Sequence, residues 1–316
     1  MRQRGSIELA AIEGILPALL TPMDDTGTAV NHQSLRMLVD MQIERGVSGF
    51  FVCGGTGEGL LLSPDERRAV IETVVESVAG RAKVIAHIGT LDTQTACSLA
   101  AHAARLGVDA VSAVPPVYFR VDIDALCEHY RVIADAADGL PLYPYHIPSA
   151  TGVEISAQVM RKLMEIPAVR GIKYSSYNLY DMHNIIELDP ERLTVLSGFD
   201  EVCVAALSMG AHGAIGTTYN VMPATFNALY RAMQAGNLVR AQELQFRANR
   251  VIAALLSAPL IPALKAVLTD LGYPCGSARP PQPALSADQR QRVIASVRAA
   301  GLEALEAECL DAPLRV

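Results

Sequence analysis

Residues 140–176 read LPLYPYHIPSATGVEISAQVMRKLMEIPAVRGIKYSS and contain two short apolar runs joined by a segment of helical period. The runs at residues 140–148 and 169–176 predict strands, and residues 156–164 predict a helix between them. Such a strand–helix–strand unit is typical of a parallel sheet. Lys173 lies inside the second run, where an ammonium group is costly to bury. The stretch therefore predicts a parallel sheet that carries an unusual lysine.

Lys173 is a candidate nucleophile because desolvation favours the neutral amine over the ammonium. A neutral amine attacks a ketone and holds it as a Schiff base. The alternative is a lysine at a strand end whose head group reaches water or a carboxylate. The residues around Lys173 decide between these interpretations.

The alternation continues through most of the chain. Apolar runs that end in Gly, Pro, Ser or Thr predict eight strands, at residues 14–22, 49–54, 83–89, 109–116, 140–148, 169–176, 194–200 and 213–220. Segments of helical period predict eight helices, at residues 33–45, 64–79, 93–106, 123–137, 156–164, 179–188, 201–209 and 223–234. Ser63 and Asp92 are typical N-caps for two of them.

Eight strand and helix pairs favour a closed parallel barrel over an open sheet, which needs a reversal in strand order. Three more helical segments follow, at residues 237–257, 262–271 and 286–308. The sequence therefore predicts an α/β fold, a (β/α)8 TIM barrel over residues 12–236, with a C-terminal three-helix appendage over residues 237–316 packed on the barrel.

Composition excludes several classes of protein. The chain has 316 residues, of which 51% are hydrophobic and 19% charged, so a large core is expected rather than disorder. The net charge of -7 and the scattered basic residues argue against a nucleic-acid partner. The six cysteines show no CxxC pair and no metal-ligand spacing, so we expect no metal and a cytoplasmic protein with reduced thiols. We expect neither a signal peptide nor a membrane span.

Polar residues at the carboxyl ends of the strands are candidates for a site, because those ends share one mouth in a parallel barrel. The turn Gly54-Gly55-Thr56-Gly57-Glu58 presents backbone N–H groups and a hydroxyl that suit a carboxylate or phosphate. It lacks the Gly-Lys-Ser/Thr of a Walker loop. As a plain strand-to-helix turn it needs no ligand, so both interpretations stay open.

Three other strand ends carry reactive or hydrogen-bonding groups. Tyr145 is placed to relay protons beside the lysine of the next strand, although a packing role for its ring is the common alternative. Gly198-Phe199-Asp200-Glu201 supplies two adjacent carboxylates, and residues 216–220 supply further hydroxyls. Together these residues predict a polar rim that suits a hydroxylated ligand, although carboxylates at helix N-termini also serve as dipole partners.

The chain resembles the pyruvate-dependent class I aldolase family that contains dihydrodipicolinate synthase and N-acetylneuraminate lyase. The resemblance covers nearly all of residues 12–310. Five motifs in the expected order carry it: Gly55-Thr56-Gly57-Glu58, Tyr145-His146-Ile147-Pro148 with Thr151-Gly152, Gly171-Ile172-Lys173, Gly198-Phe199-Asp200-Glu201, and Gly213-Ala214-Ile215-Gly216-Thr217-Thr218-Tyr219-Asn220.

The resemblance implies a role for each matched residue. Lys173 would form the imine with a 2-oxo acid, so that no other cofactor is needed, and Tyr145 would donate and accept the proton. Thr56 and the backbone around Gly55 would hold the pyruvate carboxylate, and Ile215 would line the pyruvate side of the pocket. A further match, Tyr118, corresponds to a tyrosine that reaches the neighbouring subunit's site in many members. A homotetramer is expected.

Within the family, two features favour the lyase branch. Members that make dihydrodipicolinate carry an arginine shortly after the catalytic tyrosine, and here that position is Ala150. Five residues match positions that bind the polyhydroxy chain in sialic acid lyases, namely Ser175, Gly198, Asp200, Glu201 and Thr217. Carboxylates that accept several hydroxyl hydrogen bonds suit a sugar acid.

Gly55 departs from the lyases and the synthases, which usually carry Ser or Thr there. The Gly-Gly-Thr-Gly-Glu form resembles relatives that dehydrate deoxy-keto sugar acids. The first hypothesis is therefore a lyase that joins or separates pyruvate and an aldehyde, with N-acetylneuraminate or a related sugar acid as substrate. The second is a dehydratase or aldolase of a 2-keto-3-deoxy sugar acid. The third, from another class, is a non-catalytic sugar-acid binding protein, against which the presence of Lys173 and Tyr145 argues.

Overall fold

The computed structural model describes residues 11–311. These residues contain eight short strands, all of them parallel to their neighbours. Their bounds are β1 Gly14–Pro17, β2 Gly49–Val52, β3 Lys83–His87, β4 Ala110–Ala113, β5 Leu142–His146, β6 Gly171–Tyr174, β7 Thr194–Ser197 and β8 Gly213–Gly216. Each strand pairs with the next along the chain from β2 to β8, and β8 pairs with β1.

The sheet closes between β1 and β2. Ala18 forms a parallel bridge with Phe51, and the Leu19 N–H donates to the Phe51 carbonyl oxygen over 2.9 Å. At the other end of this seam the Ser48 N–H donates to the Ile15 carbonyl oxygen, also over 2.9 Å. The predicted (β/α)8 TIM barrel is therefore confirmed.

Helices cover the outside of the barrel and continue beyond it. Their bounds are α1 His32–Glu44, α2 Pro64–Val78, α3 Thr93–Leu106, α4 Ile123–Ala136, α5 Pro148–Thr151, α6 Ala157–Leu163, α7 Leu179–Ile186, α8 Cys203–Ser208, α9 Pro223–Gln234, α10 Leu238–Leu255, α11 Leu260–Asp270, α12 Ala287–Ala299 and α13 Leu302–Asp311. The predicted caps are present: Ser63 forms a capping box with Glu66, and the Asp92 side chain accepts from the Thr95 N–H.

Two predictions about element ends are wrong. Most of the predicted strands run two to four residues too far at their carboxyl ends, where the chain leaves the hydrogen-bond ladder and turns into the mouth of the barrel. The predicted third appendage helix, residues 286–308, is two helices. Gly301 interrupts it with φ of 88°, a left-handed conformation that glycine adopts without steric cost. The C-terminal part that follows α9 thus contains four helices.

Apolar side chains fill the interior of the barrel and the space between its strands and the surrounding helices. The interior cluster includes Leu16, Phe51, Ile85, Leu196 and Ile215, all at most 1% exposed. Both faces of each strand are therefore buried, which explains why the strands appear in the sequence as almost continuous apolar runs. A separate cluster packs α8 to α13 against β1 and β8.

The C-terminal helices lie against the barrel rather than apart from it. No single described helix is long and apolar enough to cross a membrane. Helices α10 and α11 reach that length and hydropathy only as a pair, and they are bent by 105° at the break between them. Four of the six cysteines, Cys53, Cys203, Cys275 and Cys309, are buried, whereas Cys97 and Cys127 are half-buried.

Candidate active site

Lys173 is in the middle of the barrel, near the carboxyl end of β6. Gly171 and Lys173 alternate with outward-facing Ile172 and Tyr174, so the pleat of the strand directs the lysine inward. Only 3% of the residue is exposed. Its Nζ lies 3.9 Å from the centroid of the Phe51 ring. The side chain of Lys173 is therefore buried, as its position in an apolar run predicts.

The surroundings of Lys173 favour the neutral amine. Burial lowers its pKa to about 7, and the negative charge of Asp200 opposes part of this fall. No carboxylate of residues 11–311 lies within 4.0 Å of Nζ, so the amine has no direct ion pair. At neutral pH a substantial fraction of Lys173 is consequently unprotonated and nucleophilic.

Tyr145 is directly opposite Lys173 in the β5–β6 pairing. The Lys173 Nζ lies 4.1 Å from the centroid of the Tyr145 ring. Burial raises the pKa of the Tyr145 phenol to about 12. The free protein thus holds a neutral phenol beside the amine. A cation formed on Lys173 would lower this pKa and favour transfer of the phenolic proton.

The turn at residues 54–58 borders the same mouth. The Thr56 and Thr217 hydroxyl oxygens are 2.8 Å apart, which connects the turn after β2 to the end of β8. A Cβ built on Gly55 would meet no heavy atom within 4 Å, so this residue faces open space. Gly59 is the opposite case, because its Cβ would lie 1.8 Å from the Cys53 carbonyl oxygen. The turn requires glycine at residue 59 but not at residue 55.

Asp200 is a buried carboxylate next to the amine. The Thr218 N–H and hydroxyl both donate to its Oδ2, each over 2.7 Å. Burial raises the pKa of Asp200 to about 6, and these two donors oppose the rise. Its other oxygen, Oδ1, has no hydrogen-bond partner among the described residues, nor has the buried Ser175 hydroxyl. Buried polar atoms without partners are costly, so both point to a polar ligand.

Two glycines near Asp200 leave room for the two polar atoms without partners, the Ser175 Oγ and the Asp200 Oδ1. A Cβ on Gly198 would lie 1.8 Å from the Ser175 Oγ, and one on Gly216 would lie 2.3 Å from the Asp200 Oδ1. Glu201 is half-buried at the rim, while Ile215 is buried in the interior cluster with Phe51. The predicted substrate-binding residues are thus distributed around Lys173 and the rim above it.

Tyr118 is the predicted site residue that the fold leaves outside. It is 88% exposed, with φ of 72°, and its ring contacts only Phe119 edge-on among the aromatic rings, at 5.0 Å between centroids. Within residues 11–311 no contact brings Tyr118 to Lys173. A role for Tyr118 in a neighbouring subunit's site remains a prediction.

Sequence reasoning missed two features of this site. His87 packs edge-on against the Tyr145 ring, 6.0 Å between centroids. Its Nε2 accepts from the Val114 N–H, so Nδ1 carries the proton and donates to the Cys53 carbonyl oxygen. Burial lowers the pKa of His87 well below its usual range, so the ring is a neutral support. Its position at the end of the predicted third strand was the available signal.

The second missed feature is a buried ion pair under the turn. The sequence predicts Glu58 only as the last residue of the turn motif, yet its Oε2 lies 2.6 Å from the Lys265 Nζ on α11. The Arg279 N–H donates to the Glu58 Oε1 over 2.7 Å. Both partners of the ion pair are almost fully buried. The C-terminal part therefore holds the turn that borders Lys173.

Comparison with known proteins identifies the family. The model of the dihydrodipicolinate synthetase family matches residues 11–300. The chain belongs to this family. N-acetylneuraminate lyase of Citrobacter koseri is 40% identical over 257 residues, which cover 81% of this chain and 86% of that protein.

Two solved structures extend the comparison. A catalytic lysine mutant of the Ruminococcus gnavus sialic acid aldolase superposes with a TM-score of 0.90 at 29% identity, and the match covers 94% of this chain and 97% of that one. DHDPS from Cyanidioschyzon merolae superposes with a TM-score of 0.86 at 29% identity, covering 92% and 99%. The resemblance to this family and the prediction of a lyase are confirmed. The backbone superposes well on both a sialic acid aldolase and a DHDPS, so only the side chains of the site can distinguish the two branches of the family.

Proposed function

We propose that the protein is a pyruvate-dependent, Schiff-base-forming aldolase that cleaves N-acetylneuraminate or a related sugar acid. One observation carries the mechanism. The chain has four lysines, and Lys83, Lys162 and Lys265 each have a carboxylate oxygen within 4.0 Å, whereas Lys173 has none in the part of the chain that the structure describes. Lys173 is also the lysine that lies beside a buried tyrosine. The relatives named N-acetylneuraminate lyase and sialic acid aldolase support the choice of substrate.

In this proposal Lys173 Nζ adds to the C2 ketone of the open-chain sugar acid. The Tyr145 phenol gives its proton to the departing hydroxide, so that loss of water leaves a protonated imine beside the Tyr145 phenolate. Tyr145 then accepts the proton of the C4 hydroxyl as the C3–C4 bond breaks. The bonding electrons move into the imine and form an enamine, so the lysine adduct is the electron sink and no other cofactor is needed. Tyr145 returns the proton to C3, and hydrolysis of the protonated imine releases pyruvate, the neutral Lys173 amine and a proton that restores the Tyr145 phenol.

The remaining residues bind the substrate. Thr56 and the backbone near Gly55 would receive the carboxylate at the end of the acid, and Ile215 would pack against its C3 side. Ser175, Asp200 and Thr217 would bind hydroxyls of the chain. Because the Asp200 Oδ1 and the Ser175 hydroxyl are buried without partners, substrate hydroxyls would satisfy groups that otherwise cost stability.

The direct test is the reaction of the purified protein with N-acetylneuraminate, with pyruvate and the aldehyde product measured together. The proposal expects equal amounts of both products. Tyr145→Phe should lower the cleavage rate about 10²-fold or more while Lys173 still forms a borohydride-trapped adduct with pyruvate. A wild-type protein that labels with pyruvate but releases none from N-acetylneuraminate would refute this substrate.

A 2-keto-3-deoxy sugar acid is the second candidate substrate, and Gly55 is the observation that favours it. Residue 55 has space for a side chain yet contributes no hydroxyl to the carboxylate site. Product analysis separates the two functions, because dehydration releases water and retains all carbon atoms in one product. The homotetramer and the cytoplasmic location also remain predictions.

A further inference from the structure

An aromatic pair lies at the rim of the mouth, on the loops after β6 and β7. Tyr177 precedes α7, and Phe199 directly precedes Asp200. Their ring centroids are 4.5 Å apart with the planes tilted by 38°. Tyr177 is 64% exposed, so its ring packs against Phe199 on one side while much of its remaining surface is accessible to solvent. Neither aromatic residue has a part in the chemistry at Lys173.

The Tyr177 hydroxyl fixes the outer carboxylate of the rim. It donates to the Glu201 Oε1 over 2.5 Å, and this carboxylate raises the pKa of the phenol to about 12. The Asn249 side chain holds the Glu201 backbone by donating to its carbonyl oxygen over 3.1 Å. Glu201 Oε2 makes no hydrogen bond within residues 11–311. Tyr177 therefore engages one carboxylate oxygen, and the other has no donor among these residues.

Asp200 and Glu201 lie at different depths. Asp200 is buried, and its charge acts directly on Lys173 and raises the amine's pKa against the effect of burial. Glu201 is only half-buried, and its partner Tyr177 is exposed. We therefore expect a keto acid bound to Lys173 through C2 to meet the buried Asp200 before it reaches Glu201. Only a longer chain reaches Glu201.

We propose that Tyr177 is a positioning residue that selects long-chain sugar acids by orienting Glu201 toward the far hydroxyls of the substrate. The inference rests on the proposed function and names the substrate class of that site. The Tyr177 and Phe199 rings add an apolar surface next to these hydroxyls, which suits the carbon-bound hydrogens of the chain. A six-carbon keto acid ends before this part of the rim and gains nothing from it.

The test is a kinetic comparison of Tyr177→Phe with a matched control, Tyr180→Phe. Tyr180 is 73% exposed three residues later, and its hydroxyl makes no hydrogen bond in the described part of the chain. Each variant is assayed with nine-carbon N-acetylneuraminate. Six-carbon 2-keto-3-deoxygluconate is tested as a substrate and as a competitor of pyruvate trapping by borohydride.

Tyr177→Phe should raise KM for N-acetylneuraminate about three- to tenfold, with kcat within about twofold of the wild type. Affinity for the six-carbon acid and the rate of pyruvate trapping should not change, and Tyr180→Phe should match the wild type throughout. If KM for N-acetylneuraminate is unchanged in Tyr177→Phe, or if the values for both acids change equally, Tyr177 does not select the substrate. The proposed function still holds in that case, provided that the wild-type protein cleaves N-acetylneuraminate. Wild type that does not cleave N-acetylneuraminate would refute the proposed function and, with it, this selection.

Discussion

Two lysines are buried in this protein to almost the same extent, one in the barrel and one in the C-terminal part. Lys173 is 3% exposed and Lys265 is 1% exposed. The Lys265 Nζ lies 2.6 Å from a Glu58 carboxylate oxygen and donates to the Ser277 carbonyl oxygen over 2.9 Å. The Lys173 Nζ has two aromatic ring faces instead, at 3.9 and 4.1 Å from their centroids.

The difference shows that burial alone does not make a lysine a nucleophile. Burial lowers the pKa of both amines, but for Lys265 the charge of Glu58 is a direct opposing effect. That ion pair fastens α11 to the turn at residues 54–58. Among the described residues Lys173 lacks such a partner, so its proton is lost near neutral pH and its lone pair becomes available.

The largest expected effect is on activity, which should distinguish Lys173 from the paired lysines. Lys173→Ala should lower cleavage about 10³-fold or more, because no other group can form the imine. Lys162→Ala, which removes an exposed lysine paired with Asp124, should stay within about twofold of the wild type. A Lys173→Ala protein with full activity would show that the mechanism does not pass through this amine.

Stability should respond in opposite directions to the same substitution at the two sites. Lys265→Met leaves the Glu58 carboxylate buried without its partner and should cost about 3–5 kcal/mol in the free energy of unfolding. Adding Glu58→Gln to that variant should recover part of the loss. Lys173→Met removes a lysine whose charge is disfavoured and should stabilise the protein at pH 7. Urea titrations provide the measurement, and equal losses at both sites would remove the distinction.

The pH dependence of stability should sharpen the same contrast. The folded protein holds the Lys173 pKa at about 7 against an ordinary value of 10.5, so between these pH values the unfolded chain binds more protons. Wild-type stability should therefore rise with pH across this window relative to Lys173→Met. The advantage of the variant should reach a few kcal/mol below pH 7 and disappear above about pH 10.5. A constant difference from pH 6 to 10 would mean that Lys173 is not perturbed.

The smallest effect should come from the turn that Lys265 supports. Gly55→Ser places a side chain in open space and should change stability by less than about 0.5 kcal/mol. Its hydroxyl adds a donor near the substrate carboxylate and should lower KM a few-fold. Gly59→Ser is the matched control, because its Cβ would overlap the Cys53 carbonyl and destabilise the turn. Equal effects at the two glycines would contradict the geometry of this turn.

The sequence was sufficient to predict the eight strands and the placement of Tyr145 beside Lys173, which the β5–β6 pairing confirms. Apolar runs on both faces of parallel strands carry that information directly. The ends of the strands were predicted too long because residues such as Gly198 and Thr217 continue the apolar or β-branched pattern after the ladder has ended. Their side chains serve the mouth of the barrel rather than the sheet.

Other features depend on contacts between distant residues and have no local signal. Glu58 and Lys265 each look like ordinary surface residues in sequence, and only the packing of α11 on the barrel pairs them. The break at Gly301 falls in a segment whose helical period continues on both sides. Tyr118 cannot be assigned a partner from one chain at all, because the residues described here leave its ring outside the barrel.

The most direct test of the central claim is reduction with borohydride in the presence of pyruvate, followed by peptide mass spectrometry of all four lysines. The account predicts a stable pyruvyl adduct on Lys173 and none on Lys83, Lys162 or Lys265. Lys173→Ala should abolish the labelling. An adduct on another lysine, or no adduct under conditions that support turnover, would contradict the assignment of Lys173 as the imine-forming residue.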